Sequence, residues 1–424
     1  MDNKLVISGF ISANYKNIGK SLIKFSNLNV FIGPNGAGKS NLLNIFLFLK
    51  DCLFSTPDKS RGITSFEEAI EKLRGAKILD RTVMPPSFVH CGFYFNSSYD
   101  NPRNLILVLD MMVKNNIDNP IIKEEVIYLS GGEPNFYFYI PNGNEANEYK
   151  VSVYNDSAQT ESHFEILSDV PSNQLMLSII PELLESSKFP PERTPIYKVR
   201  RQVIDAVSGW RFYNANDMNV NGIRLSEPKI GPGDMFLEPS GENLPLVLDN
   251  LIQKDFEFEE RINNAMKQIL PQTRKIRPIR SGRLSLTVEW YFDGMKEPFY
   301  LDEMSDGTVR MLCWAIILHS PVPPSLLVID EPEMGIHPAW LPVLAEWIKV
   351  ASEKTQIIVS THSPDLLDHF TDRTEDVICF RFDGKSHFTP EHLSKEKLSA
   401  MFDEGWELGD LYRVGDPGVG GWPW

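Results

Sequence analysis

The stretch Gly33-Pro34-Asn35-Gly36-Ala37-Gly38-Lys39-Ser40 carries three glycines, a lysine and a hydroxyl in one short run. Glycines at this spacing let successive backbone N–H groups curl around phosphate oxygens. The lysine ammonium reaches the β and γ phosphates, and the serine hydroxyl is placed to ligate Mg²⁺. Average residue usage would produce this pattern by chance in about one or two chains in a hundred of this size. Asn35, Gly36, Ala37, Gly38, Lys39, Ser40 and Asn41 are therefore the candidate phosphate-binding residues. Far downstream, Asp330-Glu331 closes an aliphatic run, "SLLVIDEPEMGIHP". An aspartate at a strand end is placed to hold Mg²⁺ through water, as in a Walker B motif, and the glutamate beside it can orient and deprotonate an attacking water. A third run, "TQIIVSTHSPDLLDHF", sets Ser360, Thr361, His362 and Ser363 just past its tip. Lys39, Glu331 and His362 are the candidate catalytic residues, and Ser40 and Asp330 the candidate Mg²⁺ ligands.

The elements that must position these groups are legible around them. "LNVFIG" reads as a strand running into the glycine loop, and "NLLNIFLFLK", apolar on nearly all sides, reads as a buried helix leaving it. The helix start adds its positive end to the phosphate cradle. The two downstream runs end at the carboxyl edge of an open α/β sheet, where ligands collect. Roughly 290 residues separate Lys39 from Asp330, so inserted material splits the sheet-bearing core. Residues 85 to 165 alternate short β-like runs with Asn, Gly and Pro turns and predict an antiparallel β subdomain. "NQLMLSIIPELLESS" and "LPLVLDNLIQKDFEFEERINNAMKQIL" carry helical periodicity. No heptad pattern lasts four repeats, so long coiled-coil arms are not expected.

Composition bounds the rest. The chain has 424 residues, 42 Lys plus Arg against 57 Asp plus Glu, and a net charge of −15, so any nucleic-acid contact must be local. Two basic clusters are candidates for a phosphate-backbone contact: Lys198, Arg200 and Arg201, and then Arg274, Lys275, Arg277, Arg280 and Arg283. No aromatic interleaving supports base stacking. Cys52, Cys91, Cys313 and Cys379 are too scattered for a zinc or redox pair. With no signal peptide and no run long enough to cross a bilayer, a reduced cytoplasmic protein is expected. The closing "LGDLYRVGDPGVGGWPW" ends on Trp422 and Trp424, which are candidates for docking a partner or a second subunit.

Taken together, the glycine loop, Asp330-Glu331 and the His362 turn resemble the ABC-type ATPase heads of the RecF and structural-maintenance-of-chromosomes group. In particular they resemble compact bacterial ATPases of anti-phage and repair operons. The resemblance is strongest over the first 50 residues and Phe299 to Phe370. It implies an α/β head with a mixed or parallel sheet, divided as 1–170 (P-loop lobe with the β subdomain), 171–270 (helical insertion) and 271–424 (C-terminal lobe). "NYKNIG" resembles the group's opening strand and brings Lys16 toward the nucleotide. "GWRFYNAND" resembles a stretch between the lobes. Ser305-Asp306-Gly307-Thr308 falls at the ABC signature, where Ser305 and Gly307 would serve the nucleotide of a facing subunit. Asp306 departs from the group's usual glycine. Glu333, Gly335 and His337 fall in the loop that crosses a dimer interface. Gln159, Gln174 and Gln202 remain alternatives for the glutamine loop. The function implied is an ATP- and Mg²⁺-dependent dimeric switch that works with a separate nuclease or effector, since no nuclease domain is expected in the chain itself. The alternative is an ATP-bound scaffold that sequesters or activates such a partner with little hydrolysis. A transporter motor is disfavoured.

Overall fold

The computed structural model describes residues 5–57, 59–96, 103–131, 136–140, 149–155, 163–185, 195–231 and 233–420. Gln159, Trp422 and Trp424, singled out above, lie outside these residues. Two compact units interleave along the chain. One comprises Met1–Ser26, Gly33–Trp210 and Ile378–His392, and the other Asn27–Ile32, Arg211–Val377 and Leu393–Trp424.

The first unit is built on an eight-stranded sheet, with the order Ser21–Lys24, Val6–Ala13, Ser87–Asn96, Leu105–Val113, Ile121–Leu129, Phe138–Ile140, Tyr149–Tyr154, Phe164–Val170. Every pairing in it is antiparallel. The alternating runs thus continue the sheet opened by Val6–Ala13. One face is covered by the helix Lys39–Phe54, whose Leu42, Leu43, Ile45, Phe46, Phe48 and Leu49 are buried. Phe46 anchors it edge-on among Phe10, Phe25, Phe93 and Trp210, with ring centroids 5.4 to 6.0 Å apart. Such aromatic pairs add to plain area burial and fix the helix on the sheet. The helices Met176–Glu185 and Pro195–Ser208 also belong to this unit.

The second unit holds strands in the order Trp210–Asn214, Leu326–Asp330, Gln356–Ser360, Leu28–Ile32. Leu326–Asp330 pairs in parallel with Gln356–Ser360, which pairs in parallel with Leu28–Ile32. Leu28–Ile32 and Gln356–Ser360 are buried at every position, which is why they read as unbroken apolar runs rather than alternating ones. The helix Asp306–Leu318 is buried from Thr308 onward except at Arg310. A three-stranded antiparallel sheet, Thr273–Ser281, Ser285–Phe292, Phe299–Tyr300, completes the unit with the helices Leu244–Lys254, Glu257–Ile269 and Leu341–Ser352. Among the described residues no helix is long and apolar enough to cross a membrane, and all four cysteines are buried and free.

Candidate active site

In the first unit, Gly38 caps the helix Lys39–Phe54 from the left-handed region (φ 102°), and no acid stands in the helix's first turn. A Cβ at Gly38 would stand 3.1 Å from both Asn17 Oδ1 and Ile18 Cγ1, so glycine is required by conformation and by space. Lys39, only 4% exposed, lays its Nζ on the carbonyl oxygens of Gly33 (2.7 Å) and Pro34 (3.3 Å). Asn35, Gly36 and Ser40 are exposed along the same turn. The hairpin turn at Tyr15–Ile18 buttresses the loop. Asn17 donates to Gly36 O at 2.5 Å, Asn41 donates to Asn17 Oδ1 at 3.0 Å, and Lys16 donates to Asn41 Oδ1 at 3.0 Å. A helix start behind a glycine cap and a buried ammonium on the loop's own carbonyls are the equipment for a phosphate chain.

In the second unit, the sheet register sets Asp330 opposite Ser360 and Ser360 opposite Phe31, two residues before Gly33 in the chain. Asp330 accepts from the Ser360 hydroxyl and from Asn214 Nδ2 (3.1 Å). A carboxylate at this strand tip is an oxygen ligand of the kind that suits a hard cation such as Mg²⁺. Glu331 stands in the left-handed region at φ 52°, a conformation that costs free energy in a non-glycine residue and clusters at functional sites. Its Oε1 lies 3.5 Å from His362 Nε2, and its Oε2 accepts from Asn216 Nδ2 at 3.3 Å. Both side chains are partly exposed, so a reactant can reach them.

Glu333 closes this cluster. Its Oε1 accepts from the Thr361 hydroxyl (2.6 Å) and from the N–H groups of His362 (3.0 Å) and Ser363 (3.2 Å). Its Oε2 is buried without a partner. Burial, helped by the nearby Glu331 charge, raises the Glu333 pKa against the pull of those hydrogen bonds.

Ser305 is the N-cap of Asp306–Leu318, accepting from Thr308 N–H at 3.2 Å and sharing a 2.7 Å contact with the Thr308 hydroxyl. Asp306, the departure from glycine, is ion-paired with Arg224 at 2.7 Å. At Gly307 a Cβ would meet Gly335 O at 3.1 Å and Trp340 at 3.3 Å, so the helix start abuts the loop that follows Glu333. Arg310 donates to Ala215 O, and Ala215 N–H donates to Asp330 O at 3.2 Å. The turn at 214–216 thus ties this helix to Asp330 and Glu331.

Sequence reasoning missed Asn214, Asn216, Arg224 and Arg310. The signal for the first two was present in "GWRFYNAND", an aromatic strand ending on polar residues as the strands of Asp330 and Ser360 do. The basic clusters are largely engaged within their own units. Arg200 donates to Leu177 O at 2.6 Å, and Arg201 lies 3.8 Å from Asp205. Lys275 pairs with Glu259 at 2.9 Å, Arg277 with Glu289 at 3.3 Å, and Arg274 stacks over Tyr291. Lys198 and Arg280 are exposed.

A family model described as "AAA domain, putative AbiEii toxin, Type IV TA system" matches residues 28–86 and 134–368. Those segments contain the glycine loop, Asp330-Glu331 and His362. Among solved structures, the Smc head bound to the C-winged helix domain of ScpA matches with a TM-score of 0.51 at 14% identity, over 92% of this chain and 99% of that one. The Smc head domain with an extended coiled coil bound to the C-terminal domain of ScpA, from Pyrococcus furiosus, gives 0.47 at 14% identity over 94% and 99%. The SMC head domain from Thermotoga maritima gives 0.42 at 12% identity over 91% and 99%. No curated protein matches. The first of these structures shows the fold: the chain folds as an Smc-type head.

Proposed function

The chain belongs to the AAA-domain family described with AbiEii-type toxins, and from that premise we propose that it is a Mg²⁺-dependent ATPase. The observation that carries this reading is the register row of Asp330, Ser360 and Phe31, which brings the acidic strand tip level with the strand that feeds the glycine loop. Asn35 to Asn41 bind the triphosphate, and Lys39 supports its β and γ groups. Ser40 and Asp330 supply oxygen ligands for Mg²⁺, which when bound would neutralise developing phosphate charge. Glu331 orients and deprotonates the attacking water, held by Asn216 on one oxygen and facing His362 on the other. His362 contacts the γ-phosphate.

The Smc-head fold supports a dimeric switch in which Ser305 and Gly307 meet the nucleotide of a second subunit. The family's description, which names a putative AbiEii toxin and a Type IV TA system, supports a role in a toxin–antitoxin system, and the chain's own part there is to act with a separate effector. The central test is Glu331→Gln. Turnover should fall about 10²–10⁴-fold with ATP still bound and its dimer trapped. Hydrolysis at the parent rate would remove Glu331 from the role of base. Separately, Ser305→Arg should abolish ATP-dependent dimerisation, read as mass in solution, with ATP binding intact. Loss of both together would reduce Ser305 to a helix cap.

A further inference from the structure

The eight-stranded sheet of the first unit has two faces, and the helix Lys39–Phe54 accounts for one. On that side Cys91, Phe93, Leu107, Leu109 and Ile127 are at most 1% exposed. A Cβ at Gly92 would meet Ile11 Cγ2 at 2.8 Å, Tyr94 Cε2 at 3.7 Å and His90 Nε2 at 3.9 Å, which sets those side chains together on the other face. There one register row runs through Leu22, Ile11, Gly92, Val108, Val126 and Tyr139. Tyr94, Ile106 and Tyr128 form the row on one side of it, and His90, Asp110 and Glu124 the row on the other.

On an antiparallel sheet with one face in water, the outward positions should be polar. In the first two rows they are tyrosine and aliphatic residues. Gly92 and Ile106 aside, these remain open to solvent, Leu22 at 47%. Charge is concentrated in the third row. His90 Nδ1 meets Asp110 Oδ1 at 2.6 Å. Glu124 stands in register with Asp110, and like charges directly opposite destabilise a sheet. Among the described residues no hydrogen bond or ion pair takes up Glu124. Burial and the Asp110 charge raise its pKa, against the pull of His90.

We propose that this face docks a second protein, through an apolar segment that carries an arginine or lysine for Asp110 and Glu124. Uncharged ground rich in tyrosine is what the core of an interface is made of. The unmatched carboxylate beside it fixes where the cation falls. Six strands about 4.8 Å apart give the apolar row a length of about 24 Å, which an amphipathic helix of about 16 residues covers. A second copy of the face fits less well, because it brings the same two carboxylates and, in these rows, only Lys24 at the sheet edge to meet them. An anionic membrane surface would repel both. None of these residues holds the glycine loop, so the proposal does not depend on the ATPase reading.

The test immobilises the full chain and selects binders from a random peptide library displayed on phage. Enriched peptides should combine aromatic or aliphatic residues with arginine or lysine. Synthesised and titrated in solution, they should bind at least about tenfold more weakly to the double variant Asp110→Lys, Glu124→Lys and to Val126→Asp. Selection against the charge-reversed chain should enrich acidic peptides instead. The milder Glu124→Gln, with melting temperature as the control for folding, should show a smaller loss in the same direction. The proposal is overturned if no peptide enriches, if the enriched peptides lack a cation, or if the substitutions leave their binding unchanged. It is also overturned if the parent forms a concentration-dependent dimer that Val126→Asp abolishes, since a second copy would then be the occupant. Binding to phosphatidylserine vesicles that the same substitution abolishes would overturn it in favour of a membrane.

Discussion

Lys39 rests on carbonyls five and six residues behind it, whereas Asp330 is held by side chains 30 and 116 residues away. The glycine loop is mainly a local device: its shape follows from glycines and a helix start, Lys39 supplies its charge, and Asn17 of the neighbouring turn buttresses it. The carboxylate cluster is a long-range device made of side chains, in which Asp330, Glu331 and Glu333 each borrow partners from other segments. A local device should fail outright when its one charged group is removed. A distributed one should fail by degrees, because each partner carries part of the positioning.

The largest effect should therefore come from the loop. Lys39→Ala is expected to lower ATP turnover by about 10²–10³-fold or more and to weaken nucleotide binding as well. Steady-state hydrolysis and equilibrium titration with a fluorescent ATP analogue check it. A variant that binds ATP normally would mean that backbone alone holds the phosphates, and the contrast between the two devices would lose its premise.

Glu333 should fall in the middle. It touches no reactant in the proposed reading and acts through the turn that presents His362. Glu333→Ala should reduce kcat about tenfold with KM for ATP little changed, the range expected for a group that orients a functional one. Glu333→Gln keeps an acceptor oxygen for Thr361 and the two N–H groups and should recover most of the rate. If Ala and Gln behave alike, the carboxylate's hydrogen bonds do not position the turn.

The same contrast governs how much could be read from sequence. The glycine loop and its flanking strand and helix were legible because all their determinants are contiguous. Asp330, Glu331 and the Ser360 to Ser363 turn were legible as polar tips on aliphatic strands. Asn214 and Asn216 were not singled out, since asparagines after a strand are ordinary turn composition and only the fold reveals Asp330 and Glu331 beside them. Lys275 and Arg277 read as part of a basic run because Glu259 lies on another element and Glu289 across the hairpin. Asp306 stood only as a departure from the group's usual glycine, because its partner Arg224 is 82 positions away by number.

Glu125 sharpens the comparison from the other side, with no effect on turnover expected. It too is a carboxylate with long-range partners, accepting from the N–H groups of Met176 (2.7 Å) and Leu177 (3.2 Å) at the start of a helix, but it is fully buried in the first unit. Burial pushes its pKa up to about 8 against the pull of those two hydrogen bonds. In the unfolded chain a glutamate titrates near about 4.3. Between those values the folded protein holds a proton that the unfolded chain has released. Stability should therefore fall as pH rises through that window and level off above about 8. Glu125→Gln cannot titrate and keeps one acceptor for the helix start, so its melting temperature should decline less than the parent's from pH 5 to 8, by a margin on the order of a few degrees. Thermal melts across that range, paired with ATPase assays, decide the matter. Parallel pH curves would mean that the carboxylate is ionised in place. A loss of turnover without a loss of stability would mean that long-range carboxylates in the first unit also serve the reaction.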